Sequence, residues 1–98
     1  MNINLESQIL EQIKTAIKTN PKVQEIILFG SRAKGTEHNG SDIDLAIKGA
    51  DISFKELCGI KVKIDELNLP YSVDIIDYNS ISNTELKSHI DRVGVVLK

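Results

Sequence analysis

The sequence predicts a layered α/β fold (α+β in the looser sense), a small mixed sheet flanked by helices. Three observations predict it. Apolar residues recur at helical spacing in three stretches: Ile9-Ile13-Ile17, Leu57-Ile60-Ile64-Leu67 and Leu86-Ile90-Val93. Strand-like runs separate them, at Val23–Phe29, near 42–48 and near 72–78. The helical stretch between the second and third runs can supply a right-handed crossover, which makes those two strands parallel.

The elements follow in order. The first stripe has Leu10 and Ala16 beside it. Asn4 is placed to cap that helix, and Asn20-Pro21 ends it, because a residue before proline avoids helical dihedrals. Val23–Phe29 is β-branched and apolar, which suits a buried strand closed by Gly30. Ser31 to Lys34 is long enough for one helical turn, and Asn39-Gly40 gives the strongest turn signal of the next segment. In the second strand Ile43, Leu45 and Ile47 face one way, Asp42 and Asp44 the other. Ser53 with Glu56 forms a capping box, and Ile52 with Leu57 a hydrophobic staple, at the start of the next helix. Gly59 lowers that helix's intrinsic preference by about 1 kcal/mol. Ser72 to Tyr78 is the third strand. Ser82 with Glu85, and Ile81 with Leu86, repeat the start signal, and Gly94 suits the position just past the last helix. Val95 to Leu97 fits a short edge strand.

Composition sets limits on function. With 98 residues and 10.9 kDa, about 65% of the extended chain's surface can be buried, enough for one domain over residues 1–98. A net charge of −2 from 12 basic and 14 acidic side chains disfavours direct nucleic-acid binding. The longest apolar run, Ile26 to Gly30, is too short to cross a bilayer, and the segment around Glu6 does not resemble a signal peptide. One cysteine excludes an intramolecular disulfide and a multi-cysteine metal site, so the expected compartment is the cytoplasm.

Three carboxylates carry the chemistry. Asp42 and Asp44, two apart on a strand, project from one face, where like charges repel unless a cation lies between them. Asp74 lies near the start of the third strand, and parallel pairing with the second strand brings all three together. Oxygen-only ligation by three carboxylates suits Mg²⁺ or Mn²⁺. The second element is Gly30-Ser31-Arg32-Ala33-Lys34. A glycine at a strand end lets backbone amides approach an oxyanion, and Arg32 and Lys34 add positive charge. The Gly-Lys-Ser/Thr ending of a Walker A loop is missing. If the first two strands are antiparallel, cradle and carboxylates share a sheet edge. A cradle plus a divalent metal implies a nucleoside triphosphate.

Gly30-Ser31, ten residues, Asp42-Ile43-Asp44-Leu45 and the later Val73-Asp74-Ile75 resemble the DNA polymerase β-like nucleotidyltransferase superfamily. The short chain and its ending Leu86–Val96 look like the minimal nucleotidyltransferases, antitoxin halves of HEPN–MNT toxin–antitoxin pairs. The resemblance implies a core strand order 1-2-3, two metal ions (Mg²⁺, with Mn²⁺ as an alternative) bound by Asp42 and Asp44, and metal binding by Asp74 as well. It implies a third carboxylate, Asp74, that helps deprotonate the attacking hydroxyl, and a triphosphate held by Gly30 and Ser31. It implies transfer of AMP from ATP to a tyrosine hydroxyl of a HEPN ribonuclease toxin. The family's separate acceptor-binding domain is missing, which suggests that a partner supplies the acceptor; a homodimer and a hetero-oligomer both fit. The alternative is a non-catalytic antitoxin that neutralises its HEPN partner by complex formation.

Each feature also has a bland reading. Gly30-Ser31 alone is a turn, and Asp42-Ile43-Asp44 alone fits solvated edge charge or a glycosyltransferase-type metal motif. Arg32 and Lys34 fit a solvated loop nearly as well. Asp77 reads as structural or exposed, and Cys58 as a small buried side chain. His38 and His89 have no partner at ligand spacing and stay unassigned.

Overall fold

The computed structural model describes residues 7–30 and 43–97. Its elements are α1 (Ser7–Ile17), β1 (Val23–Phe29), β2 (Ile43–Gly49), α2 (Phe54–Asp65), β3 (Val73–Asp77), a 3₁₀ turn (Tyr78–Ser80), α3 (Thr84–Val93) and β4 (Val95–Leu97). The strands form one sheet in the order β3-β2-β1-β4. β1 is antiparallel to β2 and β4, whereas β2 and β3 are parallel. The 1-2-3 core order expected from the sequence is present, and the C-terminal strand adds to the outside of β1. The parallel pair exists because α2 carries the chain back to the end of the sheet where β2 began.

Strand alternation divides the core between two faces. Ile26 and Leu28 of β1, Ile43, Leu45 and Ile47 of β2, and Ile75 of β3 point to one face, where Ile13 and Ile17 of α1 and Ile60 and Ile64 of α2 cover them. Each of these isoleucines and leucines contributes about 1.5–3 kcal/mol by leaving water. On the other face Ile27 and Ala46 meet Ile90 of α3, with Phe29, Ile76, Tyr78, Ile81 and Leu86 around them. This second layer has a single covering helix among the described residues.

Local chemistry sets the helix ends. Ser53 Oγ accepts from the Glu56 N–H at 3.1 Å, and Glu56 Oε1 accepts from the Ser53 N–H at 3.3 Å, so the expected capping box is formed. α2 runs through Gly59 without a break, because the burial of Ile60 and Ile64 outweighs the glycine's low preference. Two expectations need correction. The cap of α3 is Asn83 and not Ser82: Asn83 Oδ1 accepts from the N–H groups of Glu85 at 2.9 Å and Leu86 at 3.1 Å, a reach that the shorter serine one residue earlier lacks. α1 stops at Ile17, three residues before Asn20, where Thr19 Oγ1 donates to the Ala16 carbonyl at 2.7 Å and competes with the helix ladder. Gly94 does follow α3, but in an extended conformation at φ −66°. Glycine is needed there because a Cβ would collide with the Ile90 carbonyl and with Ile27 Cγ2.

Candidate active site

β1 ends, and β2 and β3 begin, at one edge of the sheet. Phe29 is the register partner of Asp44, and Asp44 is the register partner of Asp74. Register partners share a face, and adjacent strands lie about 4.8 Å apart. Two residues along each strand stand Ile27, Ala46 and Ile76, all on the α3 side. Asp44 and Asp74 therefore stand side by side on that face, Asp44 half-buried and Asp74 exposed.

Gly30 completes the corner. Its φ is +80°, a left-handed conformation that side chains with a Cβ resist. A Cβ on Gly30 would lie 2.5 Å from Asp44 Oδ2 and 3.4 Å from its Cγ. The glycine thus turns the chain away from β1 and also leaves the room that the Asp44 carboxylate occupies. The sequence pattern pointed to Gly30 as a phosphate cradle; the space it leaves for Asp44 depends on strand pairing, which the pattern does not contain.

The structure brings together Gly30, Asp44 and Asp74 of the expected site. Asp42, Ser31, Arg32 and Lys34 lie outside the described residues, as do Asn4, His38, Ser41 and the turns expected over 31–40. Among the described residues no three carboxylate, histidine or cysteine side chains form a metal-holding group. The donors that are described suit a hard divalent cation: two neighbouring carboxylates repel, and an oxygen-loving ion between them removes the penalty.

The remaining acids and the cysteine have local explanations. Asp77 accepts from the Asn79 N–H at 3.1 Å and from the Ser80 hydroxyl at 3.0 Å, so it caps the 3₁₀ turn, in line with a structural reading. Cys58 is half-buried on α2 and not fully enclosed. At the opposite end of the α3 face, Tyr78 donates to Asp91 at 2.8 Å with Lys48 Nζ 4.4 Å from its ring centroid. The Asp91 hydrogen bond holds the Tyr78 hydroxyl above its ordinary pKa. Away from the site, Glu56 accepts from Lys22 Nζ at 2.8 Å and from Asn20 Nδ2 at 2.8 Å. The lysine first, then Asn20 and Ser53, hold its carboxyl down at about 2.

Residues 11–98 match the family model described as polymerase beta, nucleotidyltransferase. The chain belongs to the polymerase beta nucleotidyltransferase family. Within that family it is 30% identical over 97 residues to a Haemophilus influenzae protein named Probable protein adenylyltransferase MntA, covering 98% of this chain and 84% of the relative. Protein adenylyltransferase MntA of Shewanella oneidensis is 46% identical over 46 residues, 47% of this chain and 31% of the relative. A solved toxin–antitoxin structure with AMP-PNP contains a chain that is 32% identical, with a TM-score of 0.77, over 91% of this chain and 72% of that one. A chain from the complex of tri-AMPylated Shewanella oneidensis HEPN toxin with MNT antitoxin is 25% identical, with a TM-score of 0.74, over 96% and 72%. No helix among the described residues is long and apolar enough to cross a membrane.

Proposed function

We propose that residues 1–98 act as one minimal nucleotidyltransferase domain that moves AMP from ATP onto a hydroxyl, a tyrosine of a HEPN-domain toxin, as an antitoxin in the cytoplasm. The observation that carries this reading is the register pairing of Asp44 with Asp74 beside a left-handed Gly30. The likeness to adenylyltransferases, and to a chain solved in a complex with an AMPylated HEPN toxin, supports the donor and the acceptor.

In this reaction the acceptor oxygen attacks the α-phosphorus. A new P–O bond forms, the bond between the α-phosphorus and its bridging oxygen breaks, and pyrophosphate leaves. Asp74 takes the hydroxyl proton in this reading, and its exposure leaves it open to an acceptor. Gly30 and Ser31 hold the triphosphate, with Arg32 and Lys34 adding charge. Asp42, Asp44 and Asp74 would hold the magnesium ions. Those ions, when bound, neutralise the triphosphate and make the acceptor hydroxyl more acidic.

The test uses ATP labelled at the α- or the γ-phosphate, Mg²⁺, and a HEPN-domain toxin as the acceptor. The α-label should appear on the partner and the γ-label in free pyrophosphate. Transfer of the γ-label to the partner would replace nucleotidyl transfer with a kinase reaction. No transfer, with the toxin still neutralised, would replace it with inhibition by binding.

A further inference from the structure

The α3 helix crosses the carboxylate face, and its two flanks look toward opposite ends of the sheet. Ile90 packs on Ile27 and Ala46 beneath the helix. Lys87 and Asp91 lie on one flank, where both meet Tyr78. Tyr78 follows β3, so this flank looks away from the candidate active site. His89 lies on the other flank. Its ring meets Phe29 edge-on, 6.4 Å between centroids at 80°. Phe29 is the register partner of Asp44 and the residue before Gly30. Arg92, three residues after His89, shares that flank by helical spacing.

The two side chains are poorly satisfied where they stand. His89 is half-buried, and neither of its ring nitrogens meets a hydrogen-bond partner among the described residues. A half-buried imidazole gains from a polar partner. Arg92 donates from Nε to the Ser88 carbonyl at 3.4 Å and is otherwise exposed, so its terminal nitrogens meet no partner among the described residues. The other lysines on this face, Lys48 and Lys87, are held at the Tyr78 end. The donors on the α3 flank that meets Phe29, beside Gly30 and across from Asp44, are thus an imidazole and a guanidinium, a pair suited to phosphate oxygens.

We propose that His89 and Arg92 form a second wall of the nucleotide site and bind the triphosphate tail from the α3 side, opposite the Gly30 cradle. The inference rests on the nucleotidyl-transfer reading and adds residues that the glycine-and-carboxylate pattern does not include. It makes the site a cleft between the sheet edge and α3.

The test is equilibrium binding to the full chain with Mg²⁺ and no acceptor protein, using the triphosphate AMP-PNP and, separately, AMP. Arg92→Gln removes the charge from an exposed position. His89→Phe keeps the ring contact with Phe29 and removes both nitrogens. Each variant should weaken AMP-PNP about tenfold, the scale of one lost charge-assisted hydrogen bond, and leave AMP affinity and melting temperature within error of the parent. Unchanged AMP-PNP affinity in both variants, with the parent binding well, overturns this inference alone. Equal weakening of AMP-PNP and AMP, or a lowered melting temperature, makes the two residues structural and also overturns it. A parent chain that binds no triphosphate overturns the nucleotidyl-transfer reading itself.

Discussion

Replacing Gly30 with alanine loads two separate costs onto one methyl group. The first is conformational. At φ +80° an L-residue costs about 1–2 kcal/mol more than glycine. For a domain of this size each kcal/mol shifts melting by about 4–8 °C, so the variant should melt roughly 5–15 °C lower. The second cost falls on the site. The new Cβ would stand 2.5 Å from Asp44 Oδ2, so the carboxylate must retreat by about 1 Å to reach ordinary contact. Carboxylates move easily, so this adds little to the stability loss. A misplacement of that size in the reacting groups nonetheless costs about a hundredfold in rate. Gly59→Ala is the control. A Cβ there meets nothing within 4 Å, and the change should raise stability by about 0.5–1 kcal/mol with transfer unchanged. The assays are thermal melting and initial rates of α-label transfer. A Gly30→Ala variant that transfers at the parent rate would refute the argument, because Asp44 would then not need the space that glycine leaves.

Three further outcomes follow from the same geometry. Asp74→Asn should slow transfer at least roughly a hundredfold while AMP-PNP binding with Mg²⁺ persists, measured by initial rates and by equilibrium binding; unchanged rates would remove Asp74 from proton transfer. Glu56→Gln should flatten the acid dependence of stability in urea titrations between about pH 4.5 and 2. The carboxyl held at about 2 favours the folded state above its unfolded pKa and loses that advantage as pH falls through the folded value, so a slope equal to the parent's would contradict the Lys22 and Asn20 contacts. Asn83→Ala should lower stability by about 1 kcal/mol and Ser82→Ala by much less, by thermal melting, because Asn83 and not Ser82 caps α3.

Much of the fold was legible because local chemistry repeats itself at the element ends. The β-branched run from Val23 to Phe29, stopped by glycine, gave β1 its full extent. Ser53 with Glu56 and Ile52 with Leu57 marked the start of α2 with two mutually consistent signals. The start of α3 was harder, since Ser82, Asn83 and Thr84 are all competent caps and the choice rests on where Ile90 must meet Ile27 and Ala46. α1 ends before the Asn20-Pro21 signal because Thr19 turns its hydroxyl back onto Ala16, a contact that competes with the helix before proline can act. At the site, the types and spacing of Gly30, Asp44 and Asp74 were visible in the sequence. The convergence of Asp44 and Asp74 was legible too, through the crossover that makes β2 and β3 parallel; the exact register, Asp44 opposite Asp74, was not, because it depends on how α2 returns the chain to β3. The place of His89 beside Phe29 likewise comes from the phase of α3 on the sheet, which no local spacing records.

The central claim is that the carboxylates aligned across β2 and β3 drive AMP transfer to the HEPN partner. Its most direct test is the intact mass of that partner after co-expression with the parent chain, with Asp42→Asn/Asp44→Asn, or with Asp74→Asn. The parent should leave the partner carrying one or more AMP adducts on tyrosine, and both variants should leave it unmodified although the complex still forms. AMP adducts at parental levels with the doubly substituted chain would contradict the account.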